Sequence, residues 1–245
     1  MRESRGVTEV ALLRSFELRH ERELVPLPPA AQRLVALLAL QRCALRRVFV
    51  AGTLWTDYSE AAANANLRTA LWRLRQLPCA VVDTTPNHLS LARCVEVDLH
   101  RAAAIAHGLA EGVDDWPDEE VQAFVRAGDL LPDWYDDWVV IERERFRQAR
   151  LHALEALCHL FARRGRYDSA IDAGLAAVAG EPLRESAHRA VILVHLAEGN
   201  RGEALRQYEF FRRLLRDQLG LEPSVAIERL LARCVDRDGA VTAVG

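Results

Sequence analysis

The sequence contains no lysine, so all 32 of its residues counted as lysine or arginine are arginines. A GC-rich genome is one explanation of this bias. A functional explanation is also open, since the guanidinium fork suits recognition of phosphate and guanine. The number of arginines does not distinguish these explanations. Only the positions of individual arginines can do so.

Other residue types and patterns are scarce as well. With 13 glycines and 9 prolines in 245 residues, collagen-like and low-complexity chains are excluded. The first residues lack the apolar segment of a signal peptide, and no apolar run reaches the ~18 residues of a membrane span. No metal site or disulfide framework is expected from five cysteines without CxxC pairs or zinc-spaced histidines, namely Cys43, Cys79, Cys94, Cys158 and Cys234. We expect a cytoplasmic protein with no cofactor and no membrane contact.

Charge divides the chain near residue 98. Residues 1–98 have a net charge of +3 and residues 99–245 a net charge of −6. A chain of this length, half of it hydrophobic, has enough material for two cores. We predict domains at 1–98 and 99–245, with different tasks for the basic and the acidic part.

The first part changes its hydrophobic periodicity in a fixed order of strands, three helices and a hairpin. Ser59 is a suitable N-cap for the third helix. The pattern predicts strands at 10–13, 16–19 and 23–27, helices opening at Pro28-Pro29 and covering 51–55 and 60–77, and a hairpin at 81–84 and 88–91 that Val95 and Val97 extend. This order is typical of a winged helix-turn-helix, an α+β fold.

The third helix has two contrasting faces. A core stripe is predicted for Leu67, Ala70, Leu71 and Leu74. The opposite face presents Ala65, Thr69, Trp72 and Gln76, flanked by Asn66, Arg68, Arg73 and Arg75. These side chains suit phosphate and base-edge contacts, although a solvated face of a structural helix has the same composition. Trp72 favours binding, unless it packs on the hairpin.

The hairpin is a candidate wing. Thr84, Thr85, Asn87 and His88 lie near its tip, where they suit contacts to phosphate or to the minor groove. They are also ordinary turn residues.

The second part is helical throughout. We predict helices at 99–111, 121–127 after an acidic linker at 114–120, and 138–164. Between the last two, residues 129–138 mix aromatic and acidic side chains. Acidic residues at the start of a helix are stabilised by the helix dipole, which is one explanation of this segment. The alternative is that the segment is a corner that binds a partner.

A 34-residue spacing separates two similar helix pairs of tetratricopeptide type. Ala170 and Ala204 occupy equivalent positions, and Tyr208 takes the place of Gly174. The first helices present Leu154, Leu157, Cys158 and Phe161 in one pair, and His188, Val191, Ile192 and His195 in the other. The two histidines are expected in the repeat core, with a pH-sensitive or ligand-contacting patch as the alternative. A capping helix is predicted at 225–234.

These pieces resemble the Streptomyces antibiotic regulatory protein family, in which a winged helix precedes a bacterial transcriptional activator domain. The stretches that carry the resemblance are Gly52-Thr53-Leu54-Trp55, residues 66–75, Glu181-Pro182-Leu183-Arg184-Glu185, residues 202–208 and Leu219-Gly220-Leu221-Glu222-Pro223-Ser224. The larger relatives have an ATPase or sensor domain after the repeats, which we expect this chain to lack, and we also expect no phospho-receiver domain in front.

The resemblance implies a sequence-specific transcription activator that binds direct repeats in promoters, as a homodimer on double-stranded DNA, and recruits RNA polymerase holoenzyme. The third helix would enter the major groove and the wing the adjacent minor groove. The residues expected to contact DNA are Arg46, Arg47, Asn64, Asn66, Arg68, Thr69, Trp72, Arg73, Arg75, Gln76, Asn87 and His88.

Two other classes of function stay open. A tetratricopeptide-type adaptor would use the winged helix only for protein contacts. An enzyme has little support, because the sequence contains no Walker loop, GxGxxG, HExxH or GxSxG motif.

Overall fold

The computed structural model describes residues 7–113 and 115–235, with side chains up to residue 231. Within these ranges it contains two compact units, of which the first comprises residues 7–103 and 127–146 and the second 104–113, 115–126 and 147–235. The domain division at residue 98 stays a prediction, because a compact unit need not be an independently folding domain. The start of the predicted linker at residue 114, the chain start inspected for a signal peptide, and the side chain of Cys234 lie outside the described parts.

The first unit contains two small sheets and three complete helices. In chain order its elements are β1 (Thr8–Ala11), β2 (Glu17–His20), β3 (Glu23–Leu24), α1 (Pro29–Gln41), β4 (Leu45–Arg46), α2 (Arg47–Leu54), α3 (Glu60–Arg75), β5 (Val82–Thr84), β6 (His88–Leu91) and β7 (Val95–Val97). The predicted order of strands, helices and hairpin is therefore present.

The sheets correct one prediction about the strands and add a strand that was not predicted. β7 does not extend the β5–β6 hairpin but pairs in parallel with β1, in a sheet ordered β3-β2-β1-β7. The hairpin is instead completed by β4, which pairs antiparallel with β6 and was not predicted as a strand. A turn with the Val95 amide bonded to the Ala92 carbonyl redirects the chain between the two sheets.

The helices of the first unit pack through the predicted apolar positions. α1 buries Leu34, Leu37 and Leu38 completely. α3 begins at the predicted cap, because the Ser59 hydroxyl accepts a hydrogen bond from the Ala62 amide. α2 starts at Arg47 and not at residue 51, so residues 47–50, which precede the predicted helix, form its first turn.

Residues 127–146 belong to the first unit and contact its N-terminal segment. Leu130 forms a bridge with Leu13, and both Leu130 and Leu131 are fully buried. The Arg143 guanidinium donates hydrogen bonds to the carbonyls of Leu130 (2.6 Å), Trp134 (2.6 Å) and Leu131. Much of the acidic, aromatic segment at 129–138 therefore has a structural role.

The remaining helices are α4 (Asp98–Ala110), α5 (Asp118–Val125), α6 (Asp137–Arg163), α7 (Tyr167–Gly180), α8 (Glu185–Glu198), α9 (Arg201–Leu219) and α10 (Val225–Val235). All were predicted, but α5 begins three residues before residue 121. Its first turn contains Asp118, Glu119 and Glu120, which the prediction assigned to a linker. Carboxylates at a helix N-terminus are stabilised by the helix dipole, and this explains why the acidic segment is helical.

α7 crosses its neighbours closely at Gly174. A Cβ placed there would lie 2.6 Å from Val191 Cγ2 of α8 and 3.2 Å from Cys158 Sγ of α6. The equivalent alanines Ala170 and Ala204 are both fully buried. The small residues at these equivalent positions therefore allow the close helix crossing that is typical of a tetratricopeptide pair.

The segment Glu181-Pro182-Leu183-Arg184-Glu185 connects helices of the second unit. Arg184 Nε donates to Glu155 of α6 at 2.6 Å, and Glu181 accepts from Arg147 of the same helix. The Glu185 carboxylate accepts hydrogen bonds from the amide (2.9 Å) and the hydroxyl of Ser224. Two of the stretches that carry the family resemblance are thus bonded to each other, just ahead of α10.

His188 lies in the core of the second unit, as predicted. Its ring is fully buried and stacks on Phe211 at 4.3 Å between centroids. Nε2 lies 2.9 Å from the Pro182 carbonyl and Nδ1 2.9 Å from the Gln207 amide nitrogen, so the neutral ring donates through the first and accepts through the second. Burial lowers the pKa of His188. His195 is only half-buried.

None of the helices in residues 7–113 and 115–235 combines the length and the apolar character that a membrane span requires.

Candidate nucleic-acid interface

α3 separates an apolar face from a polar face. The predicted core residues Leu67, Ala70, Leu71 and Leu74 are all buried, and Ala63 extends their stripe by one turn. On the other side Arg68, Thr69, Trp72, Arg73, Arg75 and Gln76 are exposed, whereas Asn64 and Asn66 are partly buried. The polar face lies on a rigid helix, which suits a groove-reading role because the side chains keep a constant spacing.

Two polar side chains on α3 are already engaged by the helix itself. Asn64 Nδ2 donates to the Glu60 carbonyl at 2.9 Å, and the Thr69 hydroxyl donates to the Ala65 carbonyl at 3.1 Å. The Asn64 carbonyl oxygen keeps its acceptor capacity, and Thr69 keeps a methyl group and oxygen lone pairs. Hydrogen-bond donation from α3 therefore falls mainly to its arginines, to Asn66 and to Gln76.

Trp72 is half-exposed on α3. The residue is 53% exposed, and the Arg73 guanidinium carbon lies 5.0 Å from the ring centroid. This contact gives a guanidinium–indole pair at the surface. The alternative that Trp72 packs on the hairpin stays open, because nearly half of the residue is covered.

The other predicted contact residues gather at the hairpin tip. Arg46 of β4 pairs with His88 of β6, and the Arg47 amide donates to the Asn87 carbonyl at 2.9 Å. Thr85 closes the tip, since its hydroxyl accepts from the His88 amide at 2.9 Å. Four of the predicted residues, from two separate sequence positions, thus form a second cluster that we call the hairpin cluster: Arg46, Arg47, Asn87 and His88.

A cleft connects α3 to the hairpin. It has a volume of about 330 Å³, and it is lined by the end of α3 and by the chain that leads into β5. Arg75 of α3 and Thr84 of β5 both line it. The C-terminal end of α3 and the strand that leads to the hairpin tip are therefore neighbours.

The arginines of this surface lack the carboxylate partners that several arginines of the second unit have. Among the described residues, no carboxylate forms an ion pair with the arginines at positions 46, 47, 68, 73 or 75. In the second unit, Arg184 pairs with Glu155, Arg166 with Asp118 and Arg216 with Glu222. The positive charges at these five positions are thus not neutralised by a described carboxylate.

Sequence reasoning did not single out three exposed apolar residues near the hairpin cluster. Val48 and Phe49 on α2 are 58% and 53% exposed, and Tyr58 in the turn before α3 is 58% exposed. Val48 and Phe49 precede the predicted start of this helix at residue 51. The earlier start of α2 puts them on its outer face, and only the correct helix boundary would have found them.

The bacterial transcriptional activator domain model matches residues 90–234, which is more than half of the chain. The chain belongs to this family. The match covers α4 to α10 and confirms the resemblance to the Streptomyces antibiotic regulatory proteins. It indicates a transcriptional regulator, a class of protein distinct from the enzymes.

Two relatives of known identity extend the comparison to the first unit. The regulatory protein AfsR of Streptomyces coelicolor is 28% identical over 207 residues, which cover 77% of this chain and 20% of AfsR. The structure of Mycobacterium tuberculosis EmbR in complex with a low-affinity phosphopeptide superposes with a TM-score of 0.67 and 20% identity, over 95% of this chain and 66% of that one. The chain spans about a fifth of the length of AfsR, and its likeness to EmbR shows a shared fold.

Proposed function

We propose that the chain is a sequence-specific, DNA-binding transcription activator whose first unit is a winged helix-turn-helix. In this proposal α3 lies in the major groove, and the hairpin cluster reaches the adjacent minor groove and the phosphate backbone. The observation that carries it is the set of arginines on α3 and at the hairpin, which no described carboxylate neutralises.

Each group has a distinct task in the proposed complex. Arg46 and Arg47 bind phosphates, and the β4–β6 pairing that holds them next to Asn87 and His88 supports a joint backbone contact. Arg68, Arg73 and Arg75 contact phosphates or guanine, whereas Thr69 and Trp72 contact thymine methyls or sugars. Asn64, Asn66 and Gln76 complete the polar face.

The family resemblance supports the finer parts of the proposal. Promoter direct repeats are bound by two protomers side by side, and RNA polymerase holoenzyme is recruited through protein contacts. Residues 99–245 contribute little to DNA affinity, because they carry a net charge of −6. Several of their arginines are also paired with carboxylates, and Arg184 is less than one-fifth exposed in its pair with Glu155.

The test is fluorescence anisotropy with a promoter fragment selected by the purified full chain from genomic DNA. We expect specific binding whose logarithmic affinity falls linearly with logarithmic salt concentration. Arg73→Ala removes one phosphate contact and its stacking on Trp72, so affinity should fall about tenfold and the salt slope by about one. Arg101→Ala is the matched control, since Arg101 is also exposed but is paired with Glu96 at 3.0 Å.

Equal affinity and equal slope for wild type and Arg73→Ala would refute the assignment of Arg73. If the wild-type chain binds no genomic fragment at all, the DNA-binding proposal is wrong, and the protein-interaction adaptor becomes the better description.

A further inference from the structure

The first unit has a second exposed face, far in sequence from α3, at the start of α6. Tyr135 is 84% exposed, and Val140 and Ile141 are 45% and 55% exposed. Asp133 and Asp137 are exposed beside them in sequence. We call these five residues the acidic apolar face.

Helix geometry places three of the five together. Asp137, Val140 and Ile141 stand at positions i, i+3 and i+4 of α6, so they share one face of the helix over one turn. Tyr135 lies two residues before the helix begins. Large apolar side chains that are left in water at adjacent positions are typical of interaction sites.

The backbone beneath this face is held firmly. Arg143 of α6 donates to three carbonyls of the preceding loop, Arg33 pairs with Asp136, and Trp134 stacks on Phe16 at 6.0 Å between ring centroids. These contacts account for the buried part of the segment. They do not involve the side chains of Tyr135, Val140 or Ile141, so the structure of the unit itself does not require these three to be large and apolar.

The carboxylates of the acidic apolar face indicate which kind of partner it can bind. Neither Asp133 nor Asp137 forms an ion pair or a side-chain hydrogen bond with any described residue, whereas the nearby Glu142 is paired with Arg145 at 2.7 Å. Two free carboxylates repel DNA phosphates and anionic lipid surfaces. They also oppose a symmetric dimer through this face, because such a dimer would bring like charges together.

We propose that the acidic apolar face docks a basic protein surface of the transcription machinery, one that presents arginine or lysine side chains around an apolar residue. This inference rests on the proposed function, in which RNA polymerase holoenzyme is the partner. It adds the surface of this chain that makes the contact and the chemistry of the surface that receives it. The apolar side chains supply the buried centre of the interface and the two aspartates its charged rim.

The experiment uses the full chain, a direct-repeat promoter fragment that it binds, and purified actinobacterial RNA polymerase holoenzyme. The variants are Tyr135→Ser/Ile141→Ser, which removes the apolar centre, and Asp133→Arg, which reverses one rim charge. The controls are Leu175→Ser, at a 45% exposed leucine of α7, and Glu111→Arg, at an exposed acid that follows α4. Circular dichroism melts verify that all four variants fold like the wild type.

We expect both face variants to bind the promoter with wild-type affinity but to activate transcription in vitro at least fivefold less, and to bind immobilised holoenzyme at least fivefold more weakly. Both controls should behave like the wild type. Wild-type activation by the double variant overturns the inference while the DNA-binding function stands.

Two further outcomes separate the alternatives. If light scattering shows that the double variant converts a wild-type dimer into a monomer, the face is a contact between copies and the inference is wrong. If the wild-type chain binds no promoter, holoenzyme binding without DNA is decisive. A loss confined to the face variants then supports the docking surface, and no binding by the wild type overturns it.

Discussion

Gly174 allows α7 to pass close to α6 and α8, and replacing it with alanine tests whether this close crossing supports the fold. A Cβ at this position would lie 2.6 Å from Val191 Cγ2 and 3.2 Å from Cys158 Sγ, and both neighbours are fully buried. Gly202 of α9 offers a matched control, because no heavy atom lies within 4 Å of the Cβ that alanine would add there. The same substitution should therefore have opposite effects at the two sites.

The magnitudes follow from two opposing contributions. Alanine in place of glycine inside a helix stabilises by about 0.5–1 kcal/mol, since it restricts the unfolded chain. At Gly174 this gain is outweighed by overpacking, which costs about 1–3 kcal/mol when a methyl group is forced into a filled core. We expect Gly174→Ala to lose about 1–2 kcal/mol and Gly202→Ala to gain up to about 0.5 kcal/mol, because Gly202 lies near the helix start.

A double-mutant cycle identifies the clash itself. Val191→Ala removes the methyl group that the new Cβ would meet, and alone it should cost about 2 kcal/mol as a buried truncation. If the clash is the cause, the double variant Gly174→Ala/Val191→Ala costs less than the two single variants together, by about 1 kcal/mol.

Urea unfolding followed by circular dichroism at 222 nm measures the free energies of unfolding of the wild type and of all four variants. Full additivity of Gly174→Ala and Val191→Ala, or a stabilising Gly174→Ala, would show that α7 and α8 do not approach as closely as the structure indicates. A destabilising Gly202→Ala would refute the reasoning on the control.

Two further predictions concern buried polar groups. Burial lowers the pKa of His188, so the unfolded chain binds the proton first and stability is lost as pH falls below the unfolded value of about 6.5. Urea titrations between pH 5 and 7.5 should therefore show a steeper fall for the wild type than for His188→Gln, by up to about 1.4 kcal/mol per pH unit, and parallel profiles would contradict this. Arg143→Ala removes three hydrogen bonds from a guanidinium to carbonyls of residues 130–134 and should cost about 2–3 kcal/mol. Arg145→Ala, at a surface pair on the same helix, should cost less than about 0.5 kcal/mol, and equal losses for the two would rule out the anchoring role of Arg143.

Much of the fold was accessible from the sequence, because most elements carry strong local signals. The apolar stripe of α3, the Ser59 cap and the 34-residue spacing each depend on residues close in the chain, and the structure contains all three. α5 was placed too late because acidic residues were read as a linker, although the same residues stabilise a helix start.

Strand pairing was the part that local patterns could not supply. β7 has the alternating pattern of a hairpin strand, yet it pairs with β1, more than 80 residues away. β4 is two residues long, too short for any periodicity. The location of the hairpin cluster depends on this pairing, so the proximity of Arg46 to His88 was not predictable from spacing, even though both residues were predicted to contact DNA.

The arginine content illustrates the same limit for function. The absence of lysine describes the whole chain and is compatible with genome composition alone. What distinguishes one arginine from another is its carboxylate partner: Arg184 has Glu155, whereas Arg68 and Arg73 have none among the described residues. The charge of a guanidinium that is paired within the protein is neutralised by its carboxylate partner. An unpaired guanidinium on a rigid helix can bind an external anion. Because this difference arises only when distant residues meet, a functional interpretation of a basic sequence needs the positions of its acids as much as those of its arginines.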